Sequence, residues 1–251
     1  MDGNKLAKTI TKAGILLVEN GAETVRVEDT MQRIAKAYGA SVADAYATPT
    51  LLIVSISMPN STDLFHNIKR VHMKSVNLDK IDKVNTLSRS IISKQISLDD
   101  LDKKLDELAM VPNYPDHIVI LGAAICVFGF NFFFQGDIHD ALFAMIVGII
   151  AKYISILLEK IELSSFFVNA VGGAIISLLA VIFARYFGCD QDIVIISSIM
   201  LLVPGLAITN GIRDSVSGDL VSGLVRATEA IFIAIAIAIG SGIMLALLGG
   251  F

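Results

Sequence analysis

HIVILGAAICVFGFNFFF, residues 117–134, runs for eighteen residues without an acidic side chain, a lysine or an arginine. A helix needs roughly 20 mostly apolar residues to cross the hydrocarbon core of a bilayer, and this stretch comes near that length. Comparable runs follow at 141–158, 165–187, 193–209 and 227–250. A soluble core does not need five such runs in series on loops this short. Residues 116–251 therefore read as a membrane all-α bundle of five transmembrane helices. A very apolar soluble helical bundle is the alternative.

Outward from that stretch, the chain has two chemically different halves. The whole is 54% hydrophobic and 18% charged, with a mean hydropathy of +0.70. Fifteen of the 20 Lys/Arg and fifteen of the 24 Asp/Glu lie in residues 1–116. That half is neutral overall and has no basic run, so nucleic-acid binding is not expected. It is long enough for one small domain. Residues 5–20 and 22–38 carry apolar side chains at helical spacing, closed by Asn20-Gly21 and Gly39. Residues 41–48, 50–58 and 67–76 are strand-like, with Pro59 to Thr62 as a turn. Helices are predicted again over 78–93 and 98–109, the latter with Asp99, Asp100 and Asp102 in its first turn. Pro112 and Pro115 end this small α+β domain, residues 1–115.

The domain precedes every membrane run, and the N-terminus is polar with no signal-peptide core behind it. The loops near Lys160 and around Arg213 and Arg226 are more basic than those at 135–140 and 188–192. The basic loops and the N-terminal domain are thus expected in the cytoplasm, with the C-terminus outside, although Arg185 opposes this bias.

Candidate chemistry concentrates in LVPGLAITNGIRDSVSGDLVSGLVRATEA, Leu202–Ala230. Pro204-Gly205 falls inside the fourth run, where proline removes a backbone donor and breaks the helix. In lipid, the freed carbonyls need protein partners or a wet cavity. Asn210, Arg213, Asp214, Asp219, Arg226 and Glu229 follow. A broken helix beside a substrate site and a kinked helix followed by an ordinary loop fit the residues equally well. Arg226 and Glu229 are one turn apart, so Glu229 is either a proton or substrate site or the partner of Arg226 in an interfacial ion pair, the pair being the expected reading.

Lys152, inside the second run, either snorkels to the cytoplasm or meets a substrate carboxylate. Ala230, Ala234, Ala238, Gly242, Ala246 and Gly250 form a ridge of small residues along the last run. Such ridges pack closely against another helix in lipid, in the same chain or another subunit. Glu23/Arg26 and Asp29/Arg33 have the spacing of solvated ion pairs. Cys126 and Cys189 read as small apolar residues. No metal-site, nucleotide-binding or nucleophile-elbow motif is present, so neither an enzyme nor a cofactor is expected.

Two stretches, GAETVRVEDTMQRIAKAYG (Gly21–Gly39) and Leu202–Ala230, resemble the threonine/serine exporter family. The length and layout are similar to the larger subunit of its split, two-gene form. The resemblance implies a secondary transporter subunit in the cytoplasmic (inner) membrane. It would export small carboxylates such as threonine and serine, or a dicarboxylate such as succinate, driven by the proton gradient. It also implies a small membrane partner subunit and an oligomeric assembly. The family pattern falls on Pro204, Gly205, Asn210, Arg213, Asp214, Gly218, Asp219 and Arg226, and on Gly21, Glu23, Arg26 and Glu28. The rival readings are a membrane-anchored enzyme with a cytoplasmic active site and a non-transporting regulatory subunit.

Overall fold

A computed structural model describes residues 2–59, 63–72 and 75–249. The chain divides into two compact units. One comprises Met1–Asn113 with Leu206–Ala227; the other comprises Tyr114–Gly205 with Thr228–Phe251.

The first unit is α+β. Helix α1 (Gly3–Glu19) and helix α2 (Thr24–Ala37) cover one face of a three-stranded antiparallel meander. Its strands are β1 (Val42–Ala47), β2 (Leu51–Ser57) and β3 (Leu64–Arg70). Strand side chains alternate between faces. On β2 this sends Leu52, Val54 and Ile56 into the core, where they meet Leu6, Ile10 and Leu17 of α1 and Met31 and Ile34 of α2. Gly14 permits that contact, since a Cβ there would come within 2.6 Å of the Met31 sulfur. Helices α3 (Leu78–Ser90) and α4 (Leu98–Met110) pack against α1. The third strand lies earlier than its sequence pattern suggests, because its register is set by pairing with β2 from Leu64↔Ser57 to Arg70↔Leu51. The turn residues 60–62 and residues 73–74 of the expected strand lie outside the described residues.

The second unit is helical. It contains α5 (Asp116–Phe133), α6 (Ile138–Lys160), α7 (Ser165–Phe187) and α8 (Gln191–Ile199). Helices α9 (Gly205–Val216) and α10 (Leu220–Leu248) complete the chain. Among the described residues, α5, α6, α7 and α10 are long and apolar enough to cross a membrane. Their exposed side chains include Leu121, Ile125, Phe133, Phe232, Ile239 and Ile243. A water-soluble surface does not carry so much contiguous apolar area.

The run expected as a fourth span broken at Pro204, 193–209, is two short helices, α8 and α9, separated by the turn at Met200–Pro204. Proline cannot donate to the ladder and restricts the residue before it, so the helix stops ahead of Pro204. The nine-residue α8 packs against α5, α6 and α7. Helix α10 starts at Leu220, seven residues before the apolar run does.

Within this unit, Gly148 lets α6 close on Val127 of α5 and Leu201. Gly173 of α7 sits against the Ile237 carbonyl of α10, and Gly240 of α10 against the backbone of Ala170. The hydroxyls of Ser177 and Ser241 hydrogen-bond across the same crossing. The predicted ridge of small residues is not this contact. Ala234, Ala238 and Ala246 are exposed, and a Cβ on Gly242 would meet nothing within 4 Å. Gly250 lies outside the described residues.

Candidate functional site

The loop joining α1 to α2 organises the site. Helix α1 ends on Asn20, and Gly21 takes a left-handed conformation (φ +87°). The Ala22 amide bonds to the Leu17 carbonyl and the Gly21 amide to that of Val18, which is the Schellman arrangement. This turn leaves the carbonyls of Gly21 and Ala22 free to accept other donors. It also starts α2 at Thr24 without a capping side chain, since Glu23 at the cap position makes no such bond. The first amides of a helix are orphan donors, and the positive end of its dipole favours an anion.

Asp214 supplies that anion. Its carboxylate is fully buried and accepts from the Thr24 amide (3.1 Å) and the Thr24 hydroxyl (3.1 Å). The third donor is Arg226 Nε at 3.0 Å. The same guanidinium donates to the Ala22 carbonyl at 2.8 Å and is only 5% exposed. Asn210, one helical turn before Asp214, donates from Nδ2 to the Gly21 carbonyl at 3.1 Å. Arg213 pairs with Glu23, which also accepts from Arg26 at 3.3 Å. Seven of the residues singled out in the sequence, Gly21, Glu23, Arg26, Asn210, Arg213, Asp214 and Arg226, thus form one connected cluster between segments some 190 residues apart.

Two glycines let this happen. A Cβ on Gly211 would lie 3.2 Å from the Gly223 carbonyl, and one on Gly223 would lie 2.8 Å from the Gly211 carbonyl and would strike Ser215 Oγ. Helix α9 and the start of α10 therefore cross in backbone contact. Gly218 (φ +96°) makes the turn between them. Asp219 accepts from the Ser222 amide through one oxygen, capping α10. Its other oxygen and the Ser222 hydroxyl are buried with no hydrogen-bond partner among the described residues.

Glu28 stands one turn along α2 from Thr24 and accepts from the Ala47 amide at 2.9 Å. Partial burial pushes its carboxyl above the usual range. The negative charges of Asp219 and Asp214 add to that, and the bond from Ala47 opposes it.

The outer surface of this segment inverts the usual pattern. Asn210, Asp214, Ser222 and Arg226 are inside, whereas Ile212, Val216, Leu220 and Leu224 are exposed. A helix pair built polar side in and apolar side out suits an apolar surrounding rather than water.

The remaining expected residues lie elsewhere. Pro204 and Gly205 form the break itself, with the Gly205 amide on the Val203 carbonyl at 2.9 Å. Lys152 is half-buried on α6, and no hydrogen bond or ion pair joins it to another described residue. Glu229 is half-buried on α10. The expected Arg226–Glu229 pair is replaced, because the Arg226 guanidinium is directed at Asp214 and Ala22. Sequence reasoning missed Thr24, the Ala22 carbonyl and Ser222. The one available signal was α2's start on Glu23-Thr24 with no acceptor of its own beyond the threonine.

Residues 8–248 match the family described as "Putative threonine/serine exporter". The chain belongs to that family. It is 26% identical to a "Probable threonine/serine exporter" of Mycobacterium tuberculosis, over 92% of this chain and 44% of that protein. It is 25% identical to the "Threonine/serine exporter" of Corynebacterium glutamicum, over 92% of this chain and 49% of that one. The "Probable succinate transporter subunit YjjP" of Escherichia coli is 23% identical, over 91% of this chain and 89% of its own length. The chain therefore spans about half the length of the two exporters and most of the succinate transporter subunit. No solved structure matches. Membership makes this a membrane protein of an exporter family.

Proposed function

We propose that the chain is a subunit of a secondary transporter that exports small carboxylates, threonine and serine or a dicarboxylate such as succinate, from the cytoplasm. The observation that carries this reading is α8. Nine residues make a helix of only about 13 Å, less than half of a roughly 30 Å hydrocarbon core. It ends in the non-helical backbone of Met200–Pro204, walled by three long apolar helices. Irregular backbone at that depth is tolerated where protein buries it or where it lines a polar cavity, and transporters place substrate at such breaks.

In this reading α5, α6, α7, the broken α8–α9 segment and α10 cross the inner membrane in turn. The N-terminal domain lies on the cytoplasmic side, and the C-terminus lies outside. The inverted surface of α9 and the first turns of α10 rests in the inner leaflet. Lys152 is the cation available to a substrate carboxylate along α6. A small membrane subunit completes the pathway by packing on the exposed ridge of Ala234, Ala238, Gly242 and Ala246. Its support is the naming of the near-full-length relatives as transporter subunits.

Reconstitution tests the reading. Proteoliposomes loaded with labelled serine, threonine or succinate are expected to release one of these when the chain and its partner are both present. Release of none of them, or the same release from the partner alone, contradicts it.

A further inference from the structure

Within the second unit, the turn before α6 meets the turn before α8. Each helix is capped by an aspartate. Asp137 caps α6 and accepts from the Asp140 amide at 2.8 Å; Asp190 caps α8 and accepts from the amides of Asp192 and Ile193. Asp140 joins the two turns. It is only 7% exposed, and its carboxylate accepts from the Asp190 amide at 2.8 Å and the Asp137 amide at 3.3 Å. Residues 134–140 and 188–193 hold these three aspartates and Asp192, with no lysine or arginine among them.

His139 completes the group. Its ring packs edge-on against Phe143, with centroids 5.0 Å apart. One nitrogen of His139 and one carboxylate oxygen each from Asp137 and Asp140 lie within 4.8 Å of one another. Behind them stands Asn131, fully buried on α5. Its Nδ2 donates to the Asp137 carbonyl at 2.8 Å, and its Oδ1 is buried with no hydrogen-bond partner among the described residues. The amide lies between the two turns, since a Cβ on Gly136 would come within 2.6 Å both of Oδ1 and of Ile193 Cγ2. Helix capping accounts for Asp137, Asp140 and Asp190. It accounts neither for the imidazole among them nor for the orphan oxygen behind.

From this we infer that Asp137, His139 and Asp140 bind a divalent transition-metal ion of the manganese or zinc kind. Ligand atoms about 2.1 Å from one ion stand roughly 3–4 Å apart. Asp140 is fixed by its two bonds, whereas Asp137 and His139 are exposed and need only small rotations to close the set. Each Asp140 oxygen keeps a second lone pair for the ion. The positive ends of α6 and α8 favour ionised carboxylates, the form that ligates. Those ends contribute roughly half a positive charge each, against four aspartates, so the field still favours a cation. An imidazole nitrogen among the ligands selects manganese or zinc over calcium and magnesium, which take oxygen. Three protein ligands leave positions for water, and such a water is the kind of donor that Asn131 Oδ1 lacks.

The experiment uses the full chain, stripped with a chelator and purified in an uncharged detergent. Binding of Mn²⁺ is followed by electron paramagnetic resonance, which sees the free ion and the bound ion separately. One saturable ion per chain is expected. His139→Ala and Asp140→Asn should each weaken it at least tenfold, and the nitrogen coupling in the bound-ion spectrum should vanish in His139→Ala. Asp140→Asn keeps an oxygen for the Asp190 amide, and His139 is exposed, so both variants are expected to fold. Asp192→Asn, an exposed acid outside the set, should leave binding within twofold. Zn²⁺ should displace the bound Mn²⁺ at concentrations where Ca²⁺ and Mg²⁺ do not. Absence of saturable binding, binding unchanged in His139→Ala, or an equal loss in Asp192→Asn would overturn the inference. So would displacement by Ca²⁺ as readily as by Zn²⁺. None of these readouts depends on transport.

Discussion

Asp214 is held by three donors, two of them from Thr24, and faces a guanidinium as buried as itself. Removing one member of a buried ion pair strands the other, at a cost of about 3–5 kcal/mol. Asp214→Ala is expected to lower the thermal stability of the purified chain by that order. It should also expose residues 205–227 to protease. Replacing the pair together, as Asp214→Leu with Arg226→Met, should recover part of the loss, since no stranded charge remains. Wild-type melting and protease resistance of Asp214→Ala would show that the cluster does not hold this segment.

Glu28 gives a prediction in pH. Its carboxyl titrates above the unfolded value, so the unfolded chain ionises first as pH rises. The folded state therefore loses stability across the interval between the two, and below that interval the effect vanishes. Glu28→Gln keeps an oxygen for the Ala47 amide and removes the titration. The variant should match the wild type near pH 4 and melt higher at pH 7. The difference should be small, because the group is partly solvated. A variant that melts lower at pH 7 than at pH 4, relative to wild type, contradicts the assignment.

At the scale of elements, all four candidate spans were legible, because eighteen or more apolar residues have few alternatives to a crossing helix. Pro204 was equally legible as a break. What followed it was not. Helix α9 reads as the end of a span, but its Asn210 and Asp214 have partners almost the whole chain away. Spacing rules see only neighbours, and so they paired Arg226 with Glu229. The same limit hid the capping of α2, whose acceptor comes from a different segment. Gly211 and Gly223 are where two helix backbones touch, which local spacing does not signal. Gly223→Ala should force α9 and α10 apart. The expected result is loss of stability comparable to Asp214→Ala, whereas Gly218→Asn, at a turn that tolerates a left-handed residue, should be mild. Equal effects of the two would show that close contact is not what Gly223 provides.

At the scale of the whole molecule, the chain passes between its two units three times, before Tyr114, after Gly205 and after Ala227. The division was expected at residue 115; Leu206–Ala227 shares a compact unit with Met1–Asn113. Binary hydropathy could not foresee this, because that segment wears its apolar side chains outside and its charges inside. In the proposed function this segment is the working connection. It follows the broken helix, is held by Asp214 and Arg226, and leads into the last span. The most direct test is efflux of the labelled substrate from cells or proteoliposomes carrying Asp214→Asn or Arg226→Ala, at equal amounts of membrane-inserted protein. The account predicts that both variants reach the membrane and lose export; wild-type efflux from either would contradict it.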